Sequence, residues 1–322
     1  MRVLELAQLF PQALEFVQEK FGKAFPLARF SGMQGILKTP KSFDIMDDSW
    51  TVDPKKLDLS LFVNKAGQPA HRRLPFSAEE HLESGEYVYG PKLRSHKDGD
   101  TFLALSVHDM HVVEIDRYRV PPYDFQREAE LLKNLSMASQ VRHRNLPDVL
   151  ALGIADEFPF VVRPLIVGRD LAYTLQKLTS ASRISILFRV FRVIDFLEKQ
   201  SPFPGAYQFG YFEPCNIHLS FSGRILITGL GSQSLRNHQE QGHLADRQAL
   251  LDLAEFLSID LKGYKKQILD PQKGLETCIR HISSLSPEWC ARTEENLSAF
   301  LRVEFLEEIQ DDRAFYGLHT LQ

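Results

Sequence analysis

Apolar and polar positions follow two different periods along the chain, and the change of period organises it. From residue 86 the period is two. "EYVYGPKL" (86–93) and "DTFLALSV" (100–107) alternate as strands do, joined through the polar run Arg94-Ser-His-Lys-Asp-Gly99. "HVVEIDRYRV" (111–120) predicts a third strand. "DFQREAELLKNLSMA" (124–138) then places Phe125, Ala129, Leu132 and Leu135 along one face of a helix. "LPDVLALGIADEFPFVVRPLIVG" (146–168) predicts two more strands. Past Asp170 the spacing turns helical. Residues 183–200 carry Ile184, Leu187, Val190, Phe191, Ile194 and Leu197 on a broad stripe. A turn at Pro214-Cys-Asn-Ile and a hairpin around Ser222-Gly223 follow. Then come "ADRQALLDLAEFLSID" (245–260) and at least two further amphipathic helices.

Ahead of residue 86 the pattern differs. Val3, Leu6, Phe10, Leu14 and Val17 recur at helical spacing, with Pro11 opening a second helical piece. "SWTVDPKKLDLSLFVNKAGQP" (49–69) alternates around a Pro-Lys-Lys turn. Ser77 and Glu80 have capping-box spacing, which predicts a short helix. These residues, 1–85, form an added N-terminal module.

Bulk properties narrow the classes. A net charge of −4 gives no basic face, so no nucleic-acid partner is expected. Glu5 and Glu15 interrupt the first apolar pattern, which therefore does not read as a signal peptide. No apolar run is long enough to span a bilayer. The three cysteines, Cys215, Cys278 and Cys290, show neither metal spacing nor a disulfide framework. A reduced, cytoplasmic setting is the expectation, with no metal and no cofactor.

The order of strand, strand, strand, helix, strand, strand, then helices with one hairpin resembles a protein-kinase domain over roughly residues 86–305. "FQREAELLKNLS…VRHRNLPDVLALG" is similar to the kinase helix C and the His-x-Asn turn into strand four. Its Arg127-Glu-Ala wording resembles bacterial Ser/Thr kinases. "FPFVVRPLIVGRDL" is similar to strand five and the hinge. "EPCNIHLSFSGRILITGLG" is similar to the catalytic loop, its hairpin and the metal-binding loop. "ADRQALLDLAEFL" is similar to the start of helix F. The resemblance implies an α+β, bilobal fold. A five-stranded antiparallel N-lobe with helix C would span 86–163, and a helical C-lobe 164–322. Glu128 takes the helix-C Glu position. Asn216 takes the catalytic-loop Asn position, or is simply a structural Asn. Asp246 takes the place of the buried Asp that organises that loop, or caps the next helix.

The residues that carry kinase chemistry are missing from this pattern. Phosphoryl transfer needs a positioning Asp in the catalytic loop and an Asp that holds Mg²⁺. Anchored on Asn216, the His-Arg-Asp triplet falls on Phe209-Gly210-Tyr211 and the Asp-Phe-Gly triplet on Gly229-Leu230-Gly231. Tyr211 and Gly229 thus replace both carboxylates. No shift of register restores them, because no Asp lies between Asp195 and Asp246. Glu213 replaces a Lys. From Thr101 through Asp116 there is no Lys or Arg, and Glu114 takes the strand-three Lys position. Gly90-Pro-Lys-Leu-Arg-Ser-His replaces the Gly-rich flap. Only 17 positions separate Gly229 from Asp246, without an Ala-Pro-Glu.

Counting back from Gly168, Arg163 takes the gatekeeper position. Two buried glutamates would need a cation or a shared proton; Arg163 either plugs the nucleotide pocket against Glu114 and/or Glu128 or is a solvated arginine at a strand end. Weaker patterns have plain alternatives. Gly229-x-Gly231-x-x-Ser234 lacks a following helix, so it is no dinucleotide loop. His108, Asp109 and His111 fit a solvated turn better than a metal site. Lys92, Arg94, His96 and Lys97 fit an exposed loop better than an anion site. Trp50 and the aromatics of residues 203–212 are candidate contacts for a protein partner, with core packing as their commoner fate. The expectation is a pseudokinase, a scaffold or regulator. The alternative is a kinase-fold enzyme with rewired chemistry, such as nucleotidyl transfer. The sequence specifies neither the partner nor an oligomeric state.

Overall fold

The computed structural model describes residues 50–52, 73–75, 86–96, 98–106, 112–120, 124–155, 158–201, 207–232, 235, 243–306 and 318–320. The expected N-terminal helix and the helix start at Ser77 lie outside these residues. The described strands are β1 (Trp50–Val52), β2 (Arg73–Pro75), β3 (Glu86–His96), β4 (Gly99–Ser106), β5 (Val112–Tyr118), β6 (Ala151–Ala155), β7 (Phe158–Pro164), β8 (Gly168–Asp170), β9 (Ile217–Ser220), β10 (Ile225–Ile227) and β11 (Leu318–Thr320). The described α-helices are α1 (Phe125–Ala138), α2 (Leu171–Thr174), α3 (Ser180–Gln200), α4 (His243–Phe256), α5 (Lys265–Ile268), α6 (Glu276–Leu285), α7 (Pro287–Ala291) and α8 (Thr293–Glu304). They fall into two compact units.

The first unit comprises Met1–Arg119, Asp148–Leu165 and Glu307–Gln322. Its main sheet is antiparallel, in the order β2-β3-β4-β5-β7-β6. The five expected strands are all present, and β2 adds a sixth at the edge. A separate pair joins β1 to β11. Alternation along β5 sends Val113 and Ile115 into an apolar cluster with Tyr87, Ala104, Phe160 and Val162. It sends Glu114 and Asp116 to the opposite face. Pairing between β3 and β4 shifts register between Tyr89 and Lys92, and again between Lys92 and Arg94. Pro91, which has no N–H to donate, sits at the first shift. The connection to β4 is shorter than expected. Strand β3 continues to His96 and β4 begins at Gly99, where a Cβ would meet the Arg117 carbonyl oxygen at 2.0 Å. Arg94 is therefore a strand residue and not part of an exposed loop.

The second unit comprises Val120–Pro147 and Ile166–Leu306. Helix α3 is its axis, burying Leu187, Val190, Phe191, Ile194 and Leu197 as the stripe predicts, and Ile186 and Val193 besides. Each such side chain contributes about 2–3 kcal/mol of burial. Helix α1 is capped by Asp124, whose carboxylate accepts from the Arg127 N–H at 3.0 Å. Its buried face is Leu131, Asn134, Leu135 and Ala138, while Ala129 is exposed. The spacing of apolar residues alone places Ala129 on this face, one helical phase away. A three-stranded sheet, β10-β9-β8, lies in the same unit. Gly168 is obligatory there, since a Cβ would stand 2.1 Å from the Leu219 carbonyl oxygen. Asn145 explains its place in the His-x-Asn turn. Its amide donates to the Ile225 carbonyl at 2.7 Å, and its own carbonyl accepts from the Ile227 N–H at 2.9 Å.

Candidate functional site

The polar face of the main sheet carries a closed charge cluster. Glu114 is fully buried, and Asp116 and Arg163 are each 4% exposed. Strand pairing sets Glu114 directly opposite Arg163. Arg163 donates from Nε to Glu114 Oε2 at 3.1 Å and from Nη2 to Asp116 Oδ1 at 3.0 Å, and its Nη1 pairs with Asp116 Oδ2. Arg94 reaches the same Glu114 oxygen at 2.6 Å, and the buried Thr101 hydroxyl donates to Asp116 at 2.6 Å. Among the described residues two carboxylates face two guanidiniums, a formally neutral group. Burial works against the charge of Arg163, but Asp116 and Glu114 outweigh it and raise its pKa above the ordinary value. The cations of this face are thus already engaged by its own acids.

In the second unit, Asp246 organises the loop before the hairpin. It sits in the first turn of α4 and is 1% exposed. Its carboxylate accepts from the N–H of Phe209 at 2.9 Å and of Tyr211 at 3.0 Å, so it binds this loop. Phe209 and Phe212 are buried edge to face, 5.6 Å apart. Between them Gly210 and Tyr211 both have positive φ, +67° and +91°. For tyrosine this conformation costs about 1–3 kcal/mol. The two bonds to Asp246 hold it, and so does a hydroxyl bond from Tyr211 to Asp252 Oδ2 at 2.9 Å.

Asn216 ties the loop to itself. Its Oδ1 accepts from the Glu213 N–H at 2.9 Å, and its carbonyl accepts from Thr228 N–H at 2.9 Å. Glu213 is half-buried and 3.7 Å from the Cys215 sulfur. Burial first, then Glu213 and Asp170, push the Cys215 thiol up. Gly229 and Gly231 have φ of +88° and +87°. Gly231 also fits closely, because a Cβ would lie 2.8 Å from the Asn134 carbonyl oxygen.

Glu114 and Arg163 are thus brought together. Asp116, Arg94 and Thr101 complete their cluster, and sequence reasoning did not assign them to it. Glu128 belongs to the other unit. It is half-buried and makes no ion pair among the described residues. Of the basic run, Lys92 stays exposed, 3.6 Å from Asp100, while Arg94 turns inward. Lys97, His108, Asp109, His111, residues 202–206 and Ser234 lie outside the described residues. No helix among the described residues is long and apolar enough to cross a membrane.

No protein-family model and no curated protein matches the chain. Solved structures do. The Mycobacterium tuberculosis PknI kinase domain aligns with a TM-score of 0.52 at 14% identity, covering 62% of this chain and 94% of that one. A point mutant of that domain aligns at 0.51 with 15% identity, covering 61% and 95%. A double mutant aligns at 0.50 with 15% identity, covering 63% and 95%. These likenesses give the fold, which is protein-kinase-like.

Proposed function

We propose, with the kinase-like fold as premise, that the chain does not transfer phosphoryl groups from Mg-ATP and serves as a protein-binding scaffold or allosteric regulator. The observation that carries this reading is Glu114, buried and bonded to Arg163 and Arg94 where the sequence pattern leads one to expect the strand-three Lys. Among the described residues Glu114 and Asp116 balance the cations of this face, so it offers no net positive charge to a phosphate. A free lysine at ~4 Å would attract a unit negative charge by about 4 kcal/mol at an effective dielectric of ~20. Two further features support the reading. Tyr211 stands where the catalytic-loop Asp is expected and is bonded to Asp252. Gly229 stands where the metal-holding Asp is expected, so electrostatic stabilisation of the transferred group lacks its main sources.

A thermal-shift titration of the full chain with ATP tests this, run with and without Mg²⁺ or Mn²⁺. No change in melting temperature is expected in any arm. A metal-dependent rise would overturn the proposal and favour an enzyme with rewired chemistry.

A further inference from the structure

A second charge cluster, wholly within the second unit, is not closed. Arg189 and Arg192 lie one turn apart on α3, and both guanidiniums stand over the Phe188 ring, 5.6 and 5.8 Å from its centroid. His143 and Arg144 come from the turn after α1. That turn is fixed by Asn145 and by Arg224, which donates to the Arg144 carbonyl at 3.0 Å. The His143 ring packs against Phe196 at 4.7 Å. Glu294, in the first turn of α8, pairs with Arg144. Among the described residues no other acid pairs with these cations. Arg189 Nε is buried there without a hydrogen-bond partner, and its Nη2 makes one long bond, 3.4 Å, to the Cys290 carbonyl. Arg192 is exposed, with no hydrogen bond or ion pair among the described residues.

We infer that His143, Arg144, Arg189 and Arg192 form a site for a phosphate monoester, carried by a phosphorylated side chain of a protein partner. Three guanidiniums and one carboxylate leave two positive charges, which matches a phosphomonoester carrying about −1.5 to −2 better than a carboxylate. Guanidinium forks suit phosphate oxygens. Arg144 and Arg192 are open to solvent, as a group presented on another protein requires. The groups already crowd one another. Burial, then Arg144, lowers the pKa of Arg189, with Glu294 opposing. Burial, then Arg192, Arg144 and Arg189, lowers that of His143. A bound dianion relieves both. The inference goes beyond the pseudokinase reading and does not depend on whether Mg-ATP binds.

The test is NMR titration of the His143 imidazole in the full chain, assigned with His143→Gln. The probes are a phosphoserine peptide, its unphosphorylated form and inorganic phosphate at matched ionic strength. The phosphopeptide should raise the His143 pKa and bind more tightly than inorganic phosphate. Arg192→Gln, at an exposed side chain with no hydrogen bond or ion pair among the described residues, should weaken it about tenfold. Glu294→Gln, which removes the competing carboxylate, should strengthen it severalfold. Equal binding of the unphosphorylated peptide, or no response to either variant, would overturn the site. Inorganic phosphate binding as tightly as the peptide would overturn the assignment to a protein partner.

Discussion

Replacing Arg163 with methionine keeps an unbranched stem in the sheet and deletes the guanidinium that joins Glu114 to Asp116. The three bonds it makes to those carboxylates are lost while both remain buried. Arg94 still meets Glu114, and Thr101 still donates to Asp116, but the cluster becomes net negative. Breaking a buried ion pair on one side costs about 3–5 kcal/mol, because the remaining charge stays desolvated. Native-state hydrogen exchange at the Ile115 and Val162 amides reads that loss locally. Adding Asp116→Asn to Arg163→Met should recover part of the loss, as expected for coupled residues. A loss below about 1 kcal/mol or strict additivity would refute the idea that this arginine neutralises the cluster.

Three further outcomes are expected. Asp246→Ala leaves the Phe209 and Tyr211 N–H groups without their acceptor, so exchange at these amides should speed up by the equivalent of about 2–4 kcal/mol. Gly168→Ala sets a methyl against the Leu219 carbonyl and should lower the unfolding midpoint in chemical denaturation, with a cost of about 1–3 kcal/mol. Burial above all lowers the pKa of His143 and of His243. As pH falls through about 6.5, the unfolded chain takes up protons that these folded histidines resist, so stability should decline below that pH. His143→Asn with His243→Asn should flatten the decline.

Much of the architecture was legible because local signals agreed. The stripe on residues 183–200 and the alternation from 86 to 164 both name the elements that form. Where a phase was misread, as at Ala129, several apolar positions fit two adjacent helical faces, and only packing selects Leu131, Leu135 and Ala138. The Glu114–Arg163 pairing followed from position in a familiar order of strands. Asp116 was equally readable, since it lies two residues beyond Glu114 and a strand puts both on one face. Arg94 was not. Its polar neighbours mimic a loop, and only the irregular pairing around Pro91 sets it opposite Thr101 on the cluster's face. The group at His143, Arg144, Arg189 and Arg192 is assembled by tertiary packing across about 50 residues, and no local pattern announces it.

Whether this kinase-like frame leaves a magnesium nucleotide unbound, as proposed, can be read from crystals grown with Mg²⁺ and a non-hydrolysable ATP analogue. The expected result is no ordered nucleotide or metal, with Arg163 still bonded to Glu114 and Asp116. An ordered triphosphate with its metal bound by this chain would contradict it.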